Sequence, residues 1–106
     1  MTSTTVTVCR LDELESDSAR RFDLDGHRLA VIRLGDDVFV IGDRCSHADY
    51  SLSEGEIDAE AGTIECWKHG SAFSVATGMP ESLPATRPVP VYEVGIVDGE
   101  VRVMLP

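Results

Sequence analysis

Residues 91–105, VYEVGIVDGEVRVML, decide the fold class. Two apolar runs, Val91 to Val97 and Val101 to Leu105, flank Asp98-Gly99, and an Asp-Gly pair between such runs is the strongest short-range signal for an antiparallel hairpin. The same grammar recurs toward the N-terminus. Gly35-Asp36-Asp37 separates Leu29 to Leu34 from Val38 to Ile41, and Asp25-Gly26 separates Leu29 from a run around Phe22 and Leu24. These predict three strands of a meander. Val6 to Cys9 predicts a first strand, and the acidic stretch from Leu11 to Glu15 a connector with one helical turn. No segment sustains a helical period for three turns. Both ends of the chain are therefore antiparallel β, and the fold class is all-β, a sandwich or partly open barrel.

The chain has 106 residues, which predicts a single domain spanning 1–106 and no separate catalytic module. Its 42% hydrophobic and 26% charged residues are ordinary globular composition. Nine basic against 19 acidic residues give a formal charge of -10. That balance repels phosphate backbones and anionic lipid, so it predicts no nucleic-acid or membrane binding and favours a basic protein partner. Residues 1–10, MTSTTVTVCR, have neither the basic nor the apolar region of a signal peptide. The longest apolar runs, of four residues each, fall far short of a membrane span. The expected location is the cytoplasm. Cys9, Cys45 and Cys66 are an odd number of thiols, which argues for ligand or core thiols over a disulfide framework.

The middle of the chain, about 42–88, reads as loops on a β scaffold. Short runs around Ile64 to Cys66 and Ala72 to Val75 anchor them, while Gly78, Pro80 and Pro84 punctuate a third loop. Cys45-Ser46-His47 is followed, after 18 intervening residues, by Cys66-Trp67-Lys68-His69. Each motif carries one soft thiolate and one imidazole, and both can aim at one spot only if the backbone turns sharply, as Gly70 permits. Four ligands of this softness suit zinc or an iron-sulfur centre. Spacing alone does not choose between them. Structural zinc usually takes its cysteines as Cys-x2-4-Cys, whereas a Cys with a His on each loop suits a centre of two irons bridged by both loops.

With its Cys-x-His and Cys-x-x-His-Gly motifs, the sequence resembles the Rieske-type 2Fe-2S ferredoxins. The resemblance runs from about Val38 to Val103 and includes Leu52, Gly55, Ile64, Phe73, Gly78, Pro80, Pro84-Ala85, Tyr92 and Asp98-Gly99. It implies one 2Fe-2S cluster, with Cys45 and Cys66 on the inner iron and His47 and His69 on the outer one. It also implies an antiparallel β-sandwich with a cluster-binding loop subdomain at one tip, covered on one side by the loop from Gly78 to Ala85. Respiratory and photosynthetic members carry an extra cysteine in each loop, joined as a disulfide; Tyr50 and Lys68 stand there in this chain. Those members also direct a Ser and a Tyr hydroxyl at the cluster, whereas here Ser71 is retained and Phe73 replaces the Tyr. Fewer donors stabilise the reduced cluster less, which implies a low potential. The pattern thus resembles the ferredoxin components of non-haem iron oxygenase systems. That implies a monomeric one-electron carrier, not an enzyme, between a ferredoxin reductase and a terminal oxygenase, and the charge of -10 predicts that both meet it with basic surfaces. Alternatives are a role in iron-sulfur assembly or redox sensing, which related ferredoxins suggest, and a zinc-bound interaction module.

The remaining residues carry plainer expectations. Cys9, in a strand of alternating Thr and Val, is a small core hydrophobe, and His27, after Asp25-Gly26, is a turn side chain in water. Trp67 is expected to shield the cluster, and Lys68 to be either a solvated charge or a docking cation. Glu54, Glu56, Asp58, Glu60 and Glu65 lie between the ligand loops with no basic residue among them. They form a solvated face or a docking face.

Overall fold

The computed structural model describes residues 4–24, 26–44, 51–66, 70–81 and 87–105. Among these residues nine strands run in chain order: β1 (Thr4–Arg10), β2 (Ser18–Leu24), β3 (His27–Leu34), β4 (Asp37–Gly42), β5 (Glu56–Asp58), β6 (Thr63–Glu65), β7 (Ala72–Ser74), β8 (Val91–Val97) and β9 (Glu100–Leu105). All pairings are antiparallel. Six strands form one sheet in the order β1-β9-β8-β4-β3-β2, and three form a second in the order β5-β6-β7. The helical structure among the described residues is two single-turn 3-10 helices, Leu11–Glu13 and Leu52–Glu54. No helix there is long and apolar enough to cross a membrane.

The hairpin that decides the fold class forms as expected. Asp98 and Gly99 both take positive φ, 51° and 76°, which is the turn geometry whose twist matches the flanking strands. The Gly99 carbonyl accepts from the Leu11 amide at 2.8 Å, so the first 3-10 helix leans on the last hairpin.

The strands β3 and β4 are buried on both faces, and their alternation shows why. Ala30, Ile32 and Ile41 belong to one apolar cluster with Leu52, Ile64, Cys66, Phe73, Val75 and Val89. Leu29, Val31, Val38 and Val40 belong to a second with Leu14, Val101, Val103 and Leu105. Cross-strand partners share a face, and the register pairs Ala30 with Ile41 and Val31 with Val40. These two strands are thus a middle layer. One face packs on the β1-β9-β8 end and the other on the small sheet, where Ile64 pairs with Phe73. β4 and β8 share only Val40↔Tyr92 and Ile41↔Val91, which is where the large sheet folds over into a sandwich.

Two expectations needed revision. β5 is a strand, though Glu56-Ile57-Asp58 shows only one apolar residue. His27 is not a side chain in water: it opens β3, is partly buried, and meets the Tyr92 ring edge-on at 5.9 Å.

Candidate metal centre

Of the four expected ligands, Cys66 is placed by the structure, while Cys45, His47 and His69 lie outside the described residues, as do Tyr50, Trp67, Lys68, Pro84 and Ala85. Cys66 follows β6 directly, is fully buried, and is a free thiol. Its amide donates to the Ser71 carbonyl at 2.7 Å, and its carbonyl accepts from the Gly70 amide at 2.9 Å. Cys66, Gly70 and Ser71 thus form a foot closed by backbone bonds, and Gly70 has a φ of 76°. Fully buried Ser71 belongs to the same foot.

The foot of the first loop is closed by a different device. Arg44 and Ser51 form an isolated bridge, and the Leu52 amide donates to the Asp43 carbonyl at 2.6 Å. The Asp43 side chain is fully buried. Its Oδ1 accepts from the Ser53 amide at 2.8 Å, its Oδ2 accepts from the Ser51 hydroxyl, and Arg21 Nε lies 3.7 Å from Oδ2. Burying a carboxylate is tolerable only with such partners.

The third loop is footed by the Phe73↔Pro80 bridge, by the Glu81 amide donating to Ala72 at 2.7 Å, and by the Val89 amide donating to Gly78 at 2.9 Å.

These three feet stand together. Glu56 pairs with Glu65, Glu65 with Ala72, and Ala72 accepts from Glu81, so one row across the small sheet adjoins all three loops. Gly55 fixes the spacing between the first two, because a Cβ there would lie 1.7 Å from the Glu65 carbonyl oxygen. A side chain at position 55 would push the first loop away from Cys66.

The row is also acidic. Glu56, Glu65 and Glu81 are all exposed, and Glu56 sits directly opposite Glu65, a like-charge pairing that costs stability. From residue 45 to residue 86 the sequence holds seven acidic side chains against the single lysine Lys68. Most of this stretch is legible in the sequence, whereas Glu81, Asp43 and the role of Gly55 emerge only from the fold.

The donor chemistry fits a two-iron centre on the side the structure shows. A fully buried thiol beside an apolar wall of Ile64, Phe73 and Val75 suits a thiolate-bound inner iron. Among the described residues no three metal-binding side chains converge; the one expected ligand they include, Cys66, stands at the small-sheet end.

The all-β scaffold brings three loop feet and a buried thiol to one end, an arrangement that suits a small iron-sulfur electron carrier. Residues 4–93 match the family described as the Rieske [2Fe-2S] domain, and the chain belongs to that family. It is 44% identical over 97 residues to "Ferredoxin CarAc" of Metapseudomonas resinovorans, covering 91% of this chain and 89% of that protein. The solved ferredoxin of carbazole 1,9a-dioxygenase from Nocardioides aromaticivorans superposes with a TM-score of 0.93 at 40% identity, covering 97% of this chain and 98% of that one. A ferredoxin solved as a complex of reduced oxygenase and oxidized ferredoxin in carbazole 1,9a-dioxygenase gives a TM-score of 0.88 at 43% identity, covering 93% and 91%. The chain is thus a Rieske-type ferredoxin that carries a 2Fe-2S cluster and transfers electrons, not an enzyme in its own right.

Proposed function

We propose that this chain is the ferredoxin component of a non-haem iron dioxygenase system, carrying one electron at a time from a ferredoxin reductase to the terminal oxygenase. Cys45 and Cys66 hold the inner iron and His47 and His69 the outer one, in one cytoplasmic, monomeric domain spanning 1–106 whose cluster-binding part is about 42–88. When bound, the cluster supplies a site that takes up and gives back a single electron. The polypeptide supplies burial at Cys66, three closed loop feet, and a charged rim for docking.

The observation that carries the docking part is the acidic row. Glu56 opposite Glu65 is costly in the isolated protein, and a basic partner surface relieves that cost on contact. A merely solvated face gains nothing from placing two carboxylates side by side next to a ligand loop. Both partners are therefore expected to meet this end with basic surfaces.

Stopped-flow electron-transfer rates across ionic strength test it. Steering of this kind raises association rates by about 10- to 1000-fold and is screened beyond about 8 to 10 Å near physiological salt. Rates should fall steeply with salt, and neutralising Glu56, Glu65 and Glu81 together should flatten the slope more than neutralising Asp12, Asp36 and Asp37, which are also exposed. Equal slopes for the two triple variants would refute the docking rim.

A further inference from the structure

Asp43 is the one acidic residue buried in the described core, and it sits two positions before Cys45. Its backbone continues β4 through an amide that donates to the Arg28 carbonyl at 3.0 Å. Its carboxylate and carbonyl together bind three consecutive residues on the far side of the first loop: Ser51 through the hydroxyl, Leu52 through its amide and Ser53 through its amide. Ser51 and Ser53 hydroxyls also lie 3.0 Å apart. Two residues later, Gly55 abuts the Glu65 carbonyl, and Cys66 follows.

We propose that Asp43 is the positioning residue of the first ligand loop: by tying the end of β4 to Ser51, Leu52 and Ser53 it holds the two chain ends of residues 45–50 at a fixed separation and registers that loop against Cys66. This rests on the assignment of Cys45 and His47 as ligands. A loop whose ends are already fixed loses less conformational freedom when it closes on a metal, so its ligands leave more slowly. A neutral hydrophobe at position 43 would keep the carbonyl bond to Leu52 but lose the side-chain bonds to Ser51 and Ser53.

The test uses holoprotein variants Asp43→Ala, Asp43→Asn, Ser51→Ala, Cys45→Ser and, as a stability control from the opposite cluster, Val103→Ala. Each is challenged anaerobically with an iron chelator while visible absorbance, thermal midpoint and the EPR line width of the reduced form are followed. Asp43→Ala should shed its cluster at least about tenfold faster than wild type and broaden the EPR lines, the size expected for losing charge-assisted hydrogen bonds. Asp43→Asn keeps the shape and should recover part of the effect, and Ser51→Ala should move the same way by less. Val103→Ala should lower the thermal midpoint with wild-type cluster release and line width. Asp43→Ala releasing its cluster no faster than Val103→Ala would overturn the proposal. If Asp43→Ala does not accumulate folded, wild-type release in both Asp43→Asn and Ser51→Ala overturns it instead. Cys45→Ser retaining a stable cluster would sink the ligand assignment itself, a separate result from an indifferent Asp43.

Discussion

In the large sheet β3 pairs with β2 over seven residues and with β4 over six, whereas no strand of the small sheet exceeds three. The large sheet is held by repetition: alternating apolar residues fill two clusters, and each pair supports the next. The small sheet has too few pairs for that. It is held by single devices, namely the Asp43 carboxylate, the bare backbone at Gly55, and the inward face of Ile57, Ile64 and Phe73. The half of the molecule that does the chemistry is thus the half that depends on individual residues and on its metal.

Removing the metal should break that contrast open. Cys66→Ser should lose the cluster, and because metal binding and folding are coupled in such sites, amides of β5 to β7 should then exchange with solvent at least about a hundredfold faster while β3, β4 and β9 stay protected. Hydrogen exchange by mass spectrometry reads both regions at once. Loss of protection in both sheets together would mean that they form one cooperative unit.

A smaller effect is expected from one added methyl group. Gly55→Ala forces a Cβ against the Glu65 backbone and should cost about 1 to 3 kcal/mol and lower the cluster content. Gly95→Ala in the large sheet, where a Cβ meets nothing within 4 Å, should change stability by less than about 0.5 kcal/mol. Denaturant titration of the pair gives the comparison directly, and equal effects would deny the small sheet its special constraint.

The potential should lie near the bottom of the Rieske range of about -150 to +300 mV, and Phe73→Tyr should raise it. Protein-film voltammetry checks both values. An unchanged potential would show that a hydroxyl on the buried Phe73 ring does not reach the cluster sulfurs.

The smallest effect belongs to Cys9, the thiol outside the proposed ligand set. Burial, with Glu13 nearby, pushes the Cys9 pKa up, so less thiolate is present at a given pH. Alkylation of Cys9 at pH 8 should be slower than that of an unstructured cysteine and should quicken as pH rises. Cys9→Ala should leave cluster content unchanged; a loss of cluster would assign this thiol a role that its strand position does not suggest.

What the sequence disclosed follows the same division. Val91 to Leu105 and the meander were legible because long alternating runs and Asp-Gly turns report directly on a large sheet. Cys45, His47, Cys66 and His69 were legible as candidates because mixed thiolate and imidazole pairs are uncommon outside metal sites. β5 was not, since Glu56-Ile57-Asp58 has one apolar residue and becomes a strand only through its partner β6. Asp43 looks like any turn aspartate after Gly42. Its burial is created by residues eight to ten positions away, which no local pattern encodes. Glu81 joins Glu56 and Glu65 only through the pairing of the third loop with β7. His27 was misjudged because the Tyr92 ring that partly buries it comes from a strand 65 residues on.

The central claim is that one cysteine and one histidine from each of two loops bind the cluster. Pulsed EPR of the reduced protein, purified anaerobically from cells fed nitrogen-15 histidine, tests it most directly. Iron and acid-labile sulfide should be present in equal amounts with hyperfine coupling to two histidine nitrogens, and His47→Ser and His69→Ser should each abolish that two-nitrogen pattern. Zinc without labile sulfide, or a cluster with no histidine coupling, would contradict it.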